Sequence, residues 1–177
     1  MLTSFFQKIN GKKLVQLVLI CGMLILSLTV ASIPLSKVNT EEFVEINQLH
    51  VIQDNTIVMG NNCTAIVAQT SPERARSIAL GLRGLVNVRP NTHDVFSDAI
   101  GGFNITVERI EVTNFKDGMY YSKMILRGED KILELDSKPS DAIAVALRTN
   151  STMYVNRTLL KNKGENICRE ERIPYIN

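Results

Sequence analysis

An α+β fold, with a mixed or antiparallel sheet packed with a few helices, is the class this chain predicts, preceded by one transmembrane helix. Three observations predict it. Runs of branched residues follow one another with turn signals between them, as in "TIVMG" (56–60) and "CTAIVAQ" (63–69). Two apolar stretches with helical spacing, "SIALGLR" (77–83) and "AIAVALR" (142–148), each follow strands and a Pro. The chain is 45% hydrophobic and 21% charged, with no Trp, so its core is aliphatic. The two matching helices hint at an internal strand–strand–helix duplication.

Residues 1–13 read as a cytoplasmic N-terminus. Leu14 to Ser36 carries no charge and is apolar almost throughout. About 20 such residues cross a bilayer as a helix. Lys8, Lys12 and Lys13 precede it, which orients the following domain to the outside. A cleaved signal peptide, and hence a secreted domain, is the alternative, with Ala31 and Ser32 as small cleavage-site residues. Residues 37–45 read as a linker, 46–160 as the domain and 161–177 as a tail.

Within the domain, 43–53 and 56–60 read as strands around an Asp54-Asn55 turn, and 63–69 as a third. Ser71 and Pro72 open a helix that Gly84 stops. Thr92 caps a second helix, which ends at Gly101-Gly102. Residues 104–116 form a long, bulged strand. Asp117-Gly118 turns it into 119–127. Strand 131–136, helix 139–149, strand 152–155 and a helical turn within 156–163 follow. The rest of the tail reads as irregular.

Residues 1–36 hold three of the 20 Lys and Arg and none of the 18 Asp and Glu, so the remainder sets 17 basic against 18 acidic residues. Nucleic-acid contact therefore needs a local patch, because the overall field supplies no attraction. Cys63 and Cys168, outside the apolar segment, are a candidate disulfide in an oxidising compartment; one buried and one free thiol is the alternative. Asn62, Asn104, Asn150 and Asn156 each begin an Asn-x-Ser/Thr glycosylation sequon. Two His and two widely spaced Cys argue against a zinc site. No glycine-rich phosphate loop is present, and scattered serines support no Ser-His-Asp triad.

The chemistry concentrates at two helix starts. "THD" (92–94) offers His93 and Asp94. "LDSKPSDAIAVALRT" (135–149) offers Asp136 and Asp141 before a helix with no polar face. Two carboxylates near one helix start repel unless a cation, a donor or a proton lies between them. Asp141 equally fits a helix-start residue that favours the dipole, Asp136 a turn and His93 a structural hydrogen bond.

Taken in series, "RPNTHDVFSDAI" (89–100), "VTNFKDGMYYSKMIL" (112–126) and "LDSKPSDAIAVALRTNSTMYV" (135–155) resemble the bifunctional nuclease domain family. "SPERARSIALGLRGL" (71–85) is similar to the family's first helix, and the resemblance covers about 46–160. It implies an α+β domain, often a homodimer, that cleaves RNA and DNA. Such cleavage commonly uses carboxylate-held Mg²⁺ or Mn²⁺. Asp94, Asp136 and Asp141 are the candidate metal ligands and catalytic carboxylates, and His93 the candidate base. Arg89, Lys138 and Arg148 are candidate phosphate contacts. A non-catalytic binding or assembly module on the same fold is the rival.

Overall fold

The computed structural model describes residues 37–168. The expected apolar segment 14–36 and residues 169–177 of the tail lie outside them. Among the described residues, no helix is long and apolar enough to cross a membrane.

The strands form two sheets rather than one. Five strands, β1 (Phe43–Glu45), β5 (Thr106–Lys116), β6 (Met119–Arg127), β7 (Ile132–Ser137) and β8 (Thr152–Asn156), lie in the order β1-β8-β5-β6-β7. Only β5 and β8 run parallel. The other sheet is antiparallel, in the order β2-β3-β4-β9: Gln48–Ile52, Thr56–Asn61, Thr64–Gln69 and Glu165–Asn166. The single strand expected over 43–53 is divided between them. Ile46 still donates to Met153 of the first sheet, at 2.8 Å, while Asn47 donates to Gly60 of the second, at 3.0 Å. Alternation along a sequence reports a strand's faces and not its neighbours, so this switch is not visible in the pattern.

Turn chemistry follows the residues. Asp54 and Asn55 both have φ 56°, and Asp117 and Gly118 have φ 53° and 77°, the left-handed values that tight hairpins need. Register shifts at Val107/Arg109 and Val112/Asn114 bulge β5 against β6.

Each three-stranded meander leads to a helix: β2-β3-β4 to α1 (Pro72–Leu82), and β5-β6-β7 to α3 (Pro139–Thr149). Between them lies α2 (Thr92–Gly102); α4 (Arg157–Lys163) follows β8. The α3 helix packs against β5, β6 and β8 on one side and against α1 and α2 on another. Ala142, Ile143, Ala144, Val145 and Ala146 are accordingly all buried. Alanines permit that approach, and so does Gly81 on α1, where an added Cβ would lie 2.9 Å from Cβ of Leu147. Ile66, Ile78, Ile110 and Ile143 meet in one aliphatic core. A disulfide joins Cys63 to Cys168 and holds the strand end Glu165–Asn166 beside β4.

Candidate functional site

Three helix starts converge on one cleft. At the first, Ser71 Oγ accepts from the Arg74 amide at 3.4 Å, and Pro72 opens α1. One turn apart on α1, Arg74 and Ser77 both line the cleft. At the second, the cap is Asn91 and not the expected Thr92. Its Oδ1 accepts from His93 and Asp94 amides at 2.8 and 3.2 Å, while Asp94 Oδ2 accepts from the Asn91 amide at 2.7 Å. This reciprocal box sets the placement of His93. At the third, Lys138 precedes Pro139 without a side-chain cap, and Asp141 lies in the first turn of α3.

His93 joins the three. Its Nδ1 lies 2.9 Å from Ser77 Oγ, and its Nε2 lies 3.4 Å from Asp141 Oδ1. The same Oδ1 accepts from Arg74 Nε at 2.8 Å. Ser77 Oγ also accepts from Asn91 Nδ2 at 3.2 Å. When Ser77 gives its hydroxyl proton to Nδ1, the neutral ring carries its own proton on Nε2, facing Asp141. Both ring nitrogens are engaged. In this arrangement His93 is a proton donor toward the cleft, and Asp141 is the group with an oxygen to spare. The cleft, about 380 Å³, is also lined by Ser71, Glu73 and Thr92.

Asp94 does not line this cleft. It is 5% exposed and accepts from Arg148 Nε at 2.5 Å. Arg148 further donates to the Ala144 and Ser77 carbonyls at 2.6 and 3.3 Å. Burial works to raise the Asp94 carboxyl, but the Asn91 amide and the Arg148 guanidinium outweigh it and hold it below the usual range. Asp94 and Arg148 are thus a structural pair joining α2 to α3, and Arg148 is not directed at the His93 cleft.

Asp136, exposed at the end of β7, lies opposite Lys123. It shares with Asp141 and Lys138 a second cleft of about 540 Å³ beside Tyr120 and Tyr121. Arg89 is exposed in the loop before α2 and lines neither cleft. Among the described residues, no three His, Cys, Asp or Glu side chains gather as a metal site. Asn62, Asn104 and Asn150 are exposed, each at a positive φ between 51° and 56°, a conformation that favours Asn for backbone reasons alone. Asn156 caps α4 through the Leu159 amide.

Arg74, Ser77 and Asn91 are functional candidates that sequence reasoning missed. A signal exists. Counted from the Pro that opens each helix, Arg74 and Asp141 hold the same position, and they bond to each other.

A family model described as the bifunctional nuclease domain matches residues 60–167. The chain belongs to this family. The matched span holds every side chain of the His93 cleft. Relatives of the family are similar over part of the chain. An uncharacterized protein of Mycobacterium tuberculosis is 30% identical over 90 residues, 51% of this chain and 53% of that protein. Bifunctional nuclease 1 of Oryza sativa subsp. indica and the bifunctional nuclease of Oryza minuta are each 31% identical over 86 residues, 47% of this chain and 26% of theirs. The match thus spans about half of the mycobacterial protein and a quarter of the rice ones.

Proposed function

We propose that this domain cleaves phosphodiester bonds of RNA or DNA at the His93 cleft. The observation that carries the reading is the convergence of His93, Asp141 and Arg74, from three helix starts, inside the span that defines the family. Arg74 supplies positive charge to the phosphate. Asp141 takes the proton of an attacking water through its spare oxygen, and His93, once protonated on both nitrogens, gives its Nε2 proton to the leaving oxygen and returns to the neutral ring. The names of the rice relatives support nuclease activity.

A divalent cation fits only part of the expected ligand set. Asp94 is committed to Arg148 and the Asn91 amide. Asp136 and Asp141 face one cleft, and Mg²⁺ needs only one or two carboxylates beside phosphate oxygens and water. They are the pair that would hold Mg²⁺ or Mn²⁺; the ion would neutralise phosphate charge and acidify water, in place of Asp141 acting as base.

The full chain, incubated with fluorescent single- and double-stranded RNA and DNA, tests this. Cleavage that needs Mg²⁺ or Mn²⁺, stops with chelator and drops in folded Asp136→Asn supports the whole reading. Metal-independent cleavage that needs His93 removes the cation alone. No cleavage of any substrate removes the activity.

The apolar segment 14–36 anchors the domain outside the membrane in this reading, and the Cys63–Cys168 disulfide supports an oxidising compartment. A second reading, a non-catalytic module that assembles as a homodimer, is favoured by one observation. Leu85, Val86 and Val88 follow the end of α1 at 51%, 63% and 101% exposure, more apolar surface than one short connection normally shows to water. Light scattering on the chromatographed chain decides it: a dimer that Val86→Asp and Val88→Asp dissociate supports assembly, and a monomer removes it.

A further inference from the structure

A third cleft, of about 360 Å³, adjoins the first two, and apart from Arg74 its lining plays no part in the chemistry above. It shares Ser71 and Arg74 with the His93 cleft, and Tyr120 and Lys138 with the Asp136 cleft. Its lining combines Ile57 and Met59 of β3, Ala68 of β4 and Ile143 of α3. Met119 and Tyr120, at the tip of the β5–β6 hairpin, also line it. Met119 is 57% exposed there, and Tyr120 is braced by Phe115, with ring centroids 4.6 Å apart.

The size lies within the range of small-molecule sites, about 300–1,000 Å³. Its chemistry is divided: apolar and aromatic within, cationic and hydroxylic where Arg74, Lys138, Ser71 and Ser140 meet it. Arg74 is half-committed to Asp141, but Lys138 is exposed and makes no salt bridge among the described residues. A flat apolar ring carrying an anionic phosphate complements both parts. Burial raises the Tyr120 phenol, with Glu165 adding to it, so the ring is neutral and suited to stacking.

We propose that this cleft receives one unstacked base of a nucleic-acid strand, placing the adjoining phosphate at Arg74 and Lys138, and so makes the site selective for single strands. The inference rests on the nuclease reading of the His93 cleft and names its substrate class. A base within a duplex is stacked and paired on both sides and reaches such a cleft only after extrusion, whereas a single strand offers its bases freely.

The test is equilibrium binding, separate from cleavage. The full chain is titrated with a fluorescein-labelled DNA decamer in chelator, by anisotropy. The decamer is used alone, annealed to its complement, and as an abasic backbone lacking every base. Ala68→Leu, which fills the cleft, and Met119→Ala, at its exposed edge, are measured beside it after thermal melts confirm folding. The single strand is expected to bind about tenfold or more tighter than the duplex or the abasic strand, the scale of a lost base-stacking contact. Ala68→Leu is expected to lose a similar factor. Equal binding of all three probes, or an intact preference in both folded variants, overturns the base site. Strand preference without any cleavage would retain the base site and remove the nuclease reading. Cleavage that needs His93 without strand preference would do the reverse.

Discussion

His93 and Asp94 are adjacent residues with different work. Asp94 is buried and ion-paired, so its effect is on stability. Its folded-state carboxyl lies below its unfolded value, near 3.9. The pair's contribution is therefore complete above about pH 4 and lost as pH falls through the lower, folded value. Asp94→Asn leaves Arg148 uncompensated and is expected to destabilise by about 3 kcal/mol at neutral pH. Thermal melts from pH 7 to pH 2 should show the variant below the wild type at neutrality and the two converging in acid. Parallel curves would deny the pair that role. The sequence marked "THD" as a site but not its division of labour. The local half was legible, because Asn91 and Asp94 are spaced as a capping box. The other half was not: Arg148 is 54 residues away, and its partner depends on how α3 lies against α2. For the same reason Arg148 read as a phosphate contact, and Arg74, whose partner Asp141 is 67 residues distant, went unnoticed.

Among the elements, the α1–α3 contact decides the site. It sets Arg74 against Asp141, and at Gly81 on α1 an added Cβ would lie 2.9 Å from Cβ of Leu147 on α3. Gly81→Ala is expected to destabilise by about 1–3 kcal/mol in spite of alanine's better helix propensity, because the new methyl meets Leu147. Urea denaturation measures it, and a gain in stability would show that the contact yields freely. Nearly every helix and hairpin was legible in caps and turns: Ser71-Pro72, Asp117-Gly118, Pro139. These signals are local. The expected duplication rested on two similar helices of a strand–strand–helix unit; the meander before each helix has three strands, the first of them at Gln48 and at Thr106. What the pattern concealed was the passage of the chain from one sheet to the other at Ile46–Asn47, since burial at a sheet junction has no period of its own.

For the whole molecule, the Cys63–Cys168 disulfide closes 105 residues, almost the full matched span. In the chain-entropy account, a loop of about 100 residues is worth about 4.7 kcal/mol, although measured values centre on about 2–4. Dithiothreitol, or Cys63→Ser with Cys168→Ser, is expected to lower the melting temperature without altering the cleft at neutral pH. An unchanged melt would mean that the bond adds nothing to the aliphatic core. The charge balance also acts at this scale. With 17 basic and 18 acidic residues after position 36, binding of nucleic acid has to come from local groups such as Arg74 and Lys138, and its salt dependence should be shallow.

The measurement that bears most directly on the account is a double-mutant cycle on single-turnover cleavage, with wild type, His93→Gln, Asp141→Asn and the double variant, all checked for folding. Groups that act as one unit lose their effect together. Each single variant should fall by about 10²–10⁴, and the double variant should fall little further. Folded variants that cleave at the wild-type rate, or losses that simply multiply, would contradict a shared catalytic role for this cleft.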